Sequence, residues 1–230
     1  MESRSRSCRP ARRRSLPDKH EMKMDEGFDY MTVKLFNKYD FEGMIVEDET
    51  LREYIYLRPI VFPHTFGRIG KRKRGMKKTV VEKLANKLMR GGTGEKLSGR
   101  VIRTQGQLQG KKMHVLKVVE GAFDIVAEKT KKNPIQVLIK AIENAAPREE
   151  TTRVEYGGVR YQVAVDVSPR RRLDLALRHI ALAAIMGSFG KRGSLSDSLA
   201  NELLLASSGD VNSYAVKRRN EVERMARSAR

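Results

Sequence analysis

Residues 133–172 decide the fold, and they read NPIQVLIKAIENAAPREETTRVEYGGVRYQVAVDVSPRRR. Asn133 is a favourable N-cap, and Pro134 suits the first helical position because its missing N–H would have no partner there. Apolar residues then recur every three or four positions until Pro147, which is the spacing of one helix face. The first part of the stretch therefore predicts an amphipathic helix.

Directly after this helix, the spacing of the apolar residues changes to every second position, which is typical of a strand. Apolar and polar residues alternate over residues 159–167, and Gly157-Gly158 closes that strand against residues 151–156. The pattern predicts a β-hairpin over residues 151–167, followed by a helix that starts at Ser168-Pro169. An isolated two-stranded ribbon is only marginally stable in water, so we expect the hairpin to pack against the helices or against a partner.

Helical periodicity also surrounds this block. The helix from Ser168-Pro169 ends at Gly187, and apolar residues at steps of three and four also mark residues 80–89, 112–131, 195–205 and 214–225. The predicted fold class is mainly α. We expect a helical bundle of about six helices with an inserted β-hairpin and an extended N-terminal arm.

The charge of the chain is unevenly distributed. Lys and Arg number 47 against 28 Asp and Glu, which gives a formal net charge of +19 over 230 residues. Residues 1–60 hold 12 basic and 12 acidic side chains, so the whole excess lies in residues 61–230. A surface with that excess favours a polyanionic partner, and nucleic acid is the first candidate.

These patterns divide the chain into three segments. Residues 1–30 are a basic leader that is expected to be disordered, residues 31–60 an ordered N-terminal arm over the core, and residues 61–230 a helical RNA-binding core. The leader is either an RNA-binding arm or the product of a mis-assigned translation start, because Met22, Met24 and Met31 are alternative starts. Both interpretations of the leader stay open.

The densest basic cluster is a glycine-containing loop near the start of the core. Glycines let its backbone follow an irregular phosphate surface. A solvated loop or a targeting tract is the alternative. The candidate RNA-binding residues of this loop are Arg68, Lys71, Arg72, Lys73, Arg74, Lys77 and Lys78.

Two further clusters belong to the hairpin and the helix that follows it. Arg153 and Arg160 lie near the hairpin turn, where their charges can reach an RNA groove; a structural flap is the alternative. Arg170, Arg171 and Arg172 fall in the first turn of the next helix, where cations oppose the helix dipole. Bound phosphates would offset that cost, so we predict that the three arginines contact RNA.

The last predicted helix carries the fourth basic cluster. Its candidate RNA-binding residues are Lys217, Arg218 and Arg219. A solvated terminal helix is the alternative.

Other classes of function find little support in the sequence. The four histidines are scattered, Cys8 is the single cysteine, and zinc-binding, HExxH and GxSxG spacings are absent. We therefore expect no catalytic residues, no metal site and no cofactor. No apolar run approaches the length of about 20 residues that crosses a bilayer, and we expect a cytoplasmic protein without membrane contact.

Several blocks of the sequence resemble one family. Residues 133–150, the GGVRYQV of residues 157–163 and the PRRR of residues 169–172 resemble the ribosomal protein S-seven family of the small subunit, called S-five in eukaryotes. Three further blocks resemble the archaeal and eukaryotic branch of that family: KLFNKY at 34–39, LREYI at 51–55 and PHTFGR at 63–68. The resemblance covers residues 31–230, and residues 1–30 depart from it.

The resemblance implies a structural constituent of the small ribosomal subunit, not an enzyme. It implies binding to the 3′ major domain of small-subunit rRNA, nucleation of head assembly, and contacts with neighbouring head proteins. It also implies that the hairpin borders the exit-site tRNA and the mRNA path. The matching basic positions are Arg68, the tract of residues 71–78, Arg153, Arg160 and Arg170 to Arg172. A transient rRNA-processing or ribosome-assembly factor with the same fold is the alternative.

Overall fold

The computed structural model describes residues 33–41, 43–64, 78–91, 96–97, 100–102 and 108–230. The predicted leader, residues 1–30, and the loop positions from Arg68 to Lys77 lie outside the described residues. The prediction of a disordered leader and the RNA-binding prediction for that part of the loop therefore stay predictions.

Helices form most of the described structure. The helices are α1 (Glu49–Arg52), α2 (Val80–Leu88), α3 (Lys112–Thr130), α4 (Pro134–Ala145), α5 (Pro169–Ser188), α6 (Leu195–Ser207) and α7 (Tyr214–Ser228). The strands are β1 (Lys96–Leu97), β2 (Arg100–Val101), β3 (Glu149–Tyr156) and β4 (Val159–Asp166). The predicted fold class is confirmed, because the six long helices match the six periodic stretches and the hairpin is inserted between α4 and α5.

Helices α4 and α6 each begin directly after a residue whose side chain caps the first turn. The Asn133 side chain accepts a hydrogen bond from the Ile135 N–H at 3.0 Å, and Pro134 occupies the first turn of α4. A capping box starts α6, in which Ser194 and Asp197 each accept from the backbone N–H of the other. Local sequence signals therefore position these two helices before any tertiary contact is considered.

Helix α5 lies at the centre of the bundle and contacts α1, α2, α4, α6 and α7. Its apolar side chains are buried along most of its length, including Leu173, Leu177 and Ile180. Phe123 of α3 is also fully buried and is among the largest side chains of the core. Burial on this scale is the main stabilising term for helices of this length.

Residues 33–64 form an arm that packs on the bundle. Leu35, Leu51 and Ile55 of the arm are buried in the same apolar core as the helices. The amide of Gln136 on α4 bonds both backbone groups of Ile45, donating to its carbonyl at 2.8 Å and accepting from its N–H at 3.0 Å. Apolar burial and backbone hydrogen bonds together hold the arm against the helices.

The hairpin is longer at its base than predicted. Its register pairs Glu149 with Asp166 at the base and Tyr156 with Val159 beside the turn. Gly157 and Gly158 both have positive φ, +58° and +79°, as the favoured two-residue hairpin turn requires. The β-hairpin therefore starts at residue 149 rather than at residue 151.

Candidate nucleic-acid interface

The three arginines at the start of α5 point in different directions, because successive residues of a helix are about 100° apart. Arg170 is exposed. Arg171 binds Glu150 of β3 through two hydrogen bonds, from Nε to Oε2 at 2.6 Å and from Nη2 to Oε1 at 2.7 Å. Arg172 is buried, with 7% of its surface exposed. One run of arginines thus has three different environments.

All three guanidinium nitrogens of Arg172 are engaged within the protein. Nη2 donates to Asp48 Oδ2 at 2.8 Å, Nη1 to Thr50 Oγ1 at 2.5 Å, and Nε to the Pro147 carbonyl at 3.2 Å. These partners belong to the arm and to the junction between α4 and β3. Three of the five N–H donors of this buried guanidinium are used within the protein, so Arg170 and Arg171 are better placed than Arg172 for the predicted RNA contact at this helix start.

The base of the hairpin is fixed to helices on both sides. Arg171 holds Glu150 from α5, and the hydrogen bond from Arg171 lowers the pKa of that carboxyl despite its partial burial. Beyond the end of α7, Arg230 forms an ion pair with Glu149. Glu223 of α7 accepts a hydrogen bond from the Arg148 N–H at 3.1 Å. The direction in which the hairpin leaves the bundle is therefore set by α5 and α7.

Away from its base, the hairpin is exposed on both faces. Arg153 and Arg160 share one face, and Arg160 forms a solvated ion pair with Glu155 at 3.4 Å. Such an exposed pair contributes little to stability, which leaves Arg160 available to a stronger partner. The opposite face is apolar and exposed, and its members are Val154, Tyr156, Val159, Tyr161, Val163 and Val165.

The basic residues of α7 also differ in their surroundings. Lys217 is exposed, and Arg218 forms an ion pair with Glu221 at 2.5 Å. Arg219 is half-buried and donates from Nη1 to the Asn144 carbonyl in the last turn of α4, at 2.5 Å. Arg219 therefore links α7 to α4, whereas Lys217 presents its charge to solvent.

A further basic cluster lies beside α2 and was not predicted as a unit. We call it the α2 basic cluster, and it consists of Lys78, Lys83, Lys87 and Arg170. Lys83 and Lys87 are four residues apart on α2, so they share one helix face. Their helical spacing was visible in the sequence, but their proximity to Arg170 depends on how α2 packs against α5.

His179 of α5 has a buried imidazole, and its Nδ1 has no hydrogen-bond partner among the described residues. Burial, with the positive charges of Arg218 and Arg178, lowers the pKa of His179 to about 4. A histidine with a lowered folded-state pKa stabilises the fold above its unfolded pKa of about 6.5 and loses that contribution as the pH falls towards 4.

We expect His179 to make the protein less stable in mild acid. Between pH 7 and pH 5 its protonation should cost about 2 kcal/mol of unfolding free energy. Urea denaturation of the wild type and of His179→Gln across this range should show a much smaller pH dependence for the variant. The exposed His114→Gln is the control and should follow the wild-type curve. Parallel curves for the wild type and His179→Gln would contradict the assignment.

The described residues give no sign of two other kinds of site. Within them, no group of three or more His, Cys, Asp or Glu side chains is arranged to hold a metal ion. Among the helices that the structure describes, none combines the length and the apolar character needed to cross a bilayer.

Comparison with known proteins gives a consistent result. Residues 51–230 match the family model described as ribosomal protein S7p/S5e. A small ribosomal subunit protein uS7 of Nanoarchaeum equitans is 45% identical over 201 residues, covering 87% of this chain and all of its own length. The uS7 proteins of Methanosphaera stadtmanae and Methanothermobacter thermautotrophicus are 47% and 45% identical, covering 86% and 85% of this chain and 100% and 98% of their own lengths.

Proposed function

Because this chain belongs to the ribosomal protein S7p/S5e family, we propose that it is a structural component of the small ribosomal subunit that binds the 3′ major domain of small-subunit rRNA. In this proposal it nucleates assembly of the subunit head and contacts neighbouring head proteins. Its hairpin borders the exit-site tRNA and the mRNA path. Its role is structural, and its site of action is the cytoplasmic small subunit.

The observation that carries the RNA-binding proposal is the exposure of the hairpin arginines on a base that is held rigidly. Arg153 and Arg160 are exposed, while the carboxylates at the hairpin base are already paired with Arg171 and Arg230. Fixed positions lower the entropic cost of binding, because the hairpin need not be ordered when RNA arrives. The net charge of +19 supplies the general attraction to phosphates.

The residues that we propose to contact rRNA are chosen by the exposure and the hydrogen-bond partners of each side chain. Exposed basic residues that are candidates for phosphate contact are Arg153, Arg160, Arg170 and Lys217, with Arg171 and Arg218 available if their ion pairs exchange. The loop positions Arg68, Lys71, Arg72, Lys73, Arg74 and Lys77 remain in the set as predictions, together with the partly exposed Lys78. Arg172 and Arg219 are assigned to contacts within the protein instead.

We expect the double variant Arg153→Gln, Arg160→Gln to bind a transcript of the 3′ major domain at least about tenfold more weakly than the wild type, since two charge-assisted contacts are lost. Filter binding at several salt concentrations measures the affinity and the salt slope. The slope should become shallower by roughly 1 to 2, because each lost phosphate contact removes a little under one unit.

The matched control for this experiment is Lys117→Gln, Lys129→Gln, which removes two exposed charges from α3. Equal losses in both double variants would show that only total charge matters, and would remove the hairpin from the proposed interface. A wild-type protein that sediments apart from small subunits in a sucrose gradient at moderate salt would overturn the ribosomal role as a whole.

A further inference from the structure

A groove lies between the arm, the junction of α3 with α4, and the end of α6. It is lined by arm residues within 43–47, by residues within 130–140, and by Ser207 and Ser208. Its volume is about 840 Å³, within the range of about 300 to 1,000 Å³ that is typical of ligand sites. We call it the arm groove, and most of its surface is apolar. It is large enough to take several side chains of another molecule.

Ile45 presents the most exposed apolar side chain of the arm groove. It is 66% exposed, which is the highest value among the large apolar side chains that the structure describes outside the hairpin. Both backbone groups of Ile45 bond the Gln136 amide, the N–H at 3.0 Å and the carbonyl at 2.8 Å. Two residues further on, Glu143 Oε1 accepts from the N–H groups of Glu47 and Asp48, at 2.8 and 3.2 Å. The backbone around Ile45 is therefore fixed while its side chain stays uncovered.

An uncovered apolar side chain on a fixed backbone is suited to binding another surface. Met44 and Val137 line the same groove, so Ile45 belongs to a continuous apolar surface. Covering that surface removes it from water, which is favourable, and the unbranched side chain of Met44 adapts to the shape of a partner. Because this part of the arm is already ordered, little conformational entropy is lost when a partner binds.

Two lysines add positive charge to the arm groove. Lys132 and Lys140 both line it and are both exposed. Lys140 Nζ lies 3.4 Å from Glu47 Oε1, but the two side chains are 48% and 69% exposed, so their ion pair contributes little and exchanges readily for a stronger partner. The carboxylates of an incoming segment would complement both lysines.

The composition of the arm groove favours a protein partner over RNA. Among the described residues, its lining contains no aromatic side chain and no arginine. Those are the side chains on which RNA bases commonly stack. The groove also lies along the first two turns of α4, whereas the hairpin with its exposed arginines follows the last turn of that helix. RNA held by the hairpin therefore leaves the groove open to a different partner.

We propose that the arm groove is the docking site for an acidic, amphipathic segment of a neighbouring small-subunit protein. Apolar side chains of the segment cover Ile45 and Met44, and its carboxylates pair with Lys132 and Lys140. The inference rests on the small-subunit role proposed above. It adds to that role one surface through which the chain contacts another protein, and the chemistry of the segment that the surface fits.

The first experiment places a photoreactive side chain in the groove of the assembled subunit. The full chain carries Ile45→p-benzoylphenylalanine, small subunits that contain it are isolated on a sucrose gradient, and irradiation products are identified by mass spectrometry. We expect crosslinks to a subunit protein, within a segment that has acidic side chains among apolar ones. Met113→p-benzoylphenylalanine is the matched control and should not give this product. Met113 is 54% exposed at the other end of α3, roughly 25 Å from Thr130 along the helix.

Reversing the charge of the two lysines tests the chemistry of the segment. Lys132→Glu with Lys140→Glu, added to the photoreactive variant, should lower the yield of the protein crosslink at least about fivefold, because like charges would then face each other. The control is Lys111→Glu with Lys117→Glu, which reverses two exposed lysines at the start of α3 and should keep the yield within about twofold. Equal yields in both double variants would overturn an acidic segment as the occupant.

The outcomes separate the docking site from the proposed function. Subunits that contain the photoreactive protein but give crosslinks to rRNA alone, or no crosslink, would overturn the docking site and leave the subunit role intact. A crosslinked segment without acidic side chains would overturn it as well. Unaltered protein that fails to sediment with small subunits would overturn the proposed function, together with this site.

Discussion

Arg172→Met is expected to lower the free energy of unfolding by about 3 kcal/mol, because removing one partner of a buried charge pair leaves the other uncompensated. The variant loses the hydrogen bonds to Asp48, Thr50 and the Pro147 carbonyl at once. Methionine keeps most of the side-chain volume, so the loss reports the polar contacts and not a cavity. Urea denaturation followed by circular dichroism measures the change.

The control is Arg170→Met, two residues earlier in the same helix turn. Because Arg170 is exposed, its replacement should change the free energy of unfolding by no more than about 0.5 kcal/mol. A similar loss of unfolding free energy in both variants would mean that the positive charge of this turn stabilises the fold and that the buried hydrogen bonds of Arg172 do not.

The contact between Asp48 and Arg172 should also depend on pH. Burial on its own would raise the pKa of Asp48, but hydrogen bonds from Thr50 and Arg172 outweigh it and hold the pKa below the ordinary value. A carboxyl with a depressed folded-state pKa stabilises the fold above its unfolded pKa, and that contribution is lost as the pH falls through the folded-state value. The stability difference between the wild type and Arg172→Met should therefore shrink below about pH 4.

Phe123→Ala should cost about 4 kcal/mol of unfolding free energy, the usual range for deleting a buried aromatic ring. Phe123 is fully buried, and its ring lies edge-on to that of Tyr39 in the arm, with centroids 6.3 Å apart and planes at 79°. The variant therefore leaves a cavity in the core beside α3 and removes the aromatic contact with Tyr39 of the arm. Urea denaturation gives the stability loss.

Limited proteolysis distinguishes the two consequences of Phe123→Ala. Cleavage within residues 33–64 should become faster relative to cleavage elsewhere, because the arm loses one of its contacts with α3. Phe123→Leu is the control and should lose only about 1 to 1.5 kcal/mol, since a leucine fills most of the space. A loss below about 1 kcal/mol for Phe123→Ala would contradict the place of this ring in the core.

Local signals explain why most of the fold could be predicted. Asn133, Pro134 and the glycine pair at 157–158 act within a few residues of themselves, so their meaning does not depend on the rest of the chain. Helix α1 was not predicted, because four residues capped by Asp48 are too few to show a period. The strands β1 and β2, of two residues each, were missed for the same reason.

The candidate site was less predictable, because it depends on contacts between distant residues. Arg172 looks like its neighbours in the sequence, but Asp48 and Thr50 precede it by 124 and 122 residues. Lys83 could not be connected with Arg170 before the packing of α2 against α5 was known. Charge patterns identified where basic residues are dense, and only tertiary contacts separate those that face solvent from those that hold the protein together.

The hairpin shows a second limit of pattern reading. Period-two alternation predicts one apolar face, and such a face is commonly buried within the same chain. Here Tyr156 is 81% exposed and Val165 is 40% exposed, at opposite ends of the apolar face. The alternation correctly gave the strand and its faces, but it carried no information on whether this chain covers either of them.

The packing of the arm also sets the order in which the protein can be completed during synthesis. The arm leaves the translating ribosome before the helices on which it packs, and its partners Asp124 and Arg172 come 85 and 124 residues after Tyr39 and Asp48. Until α5 has emerged, Leu35, Leu51 and Ile55 lack the core that buries them. The nascent chain therefore carries an exposed apolar segment that needs protection from aggregation until α5 has been made.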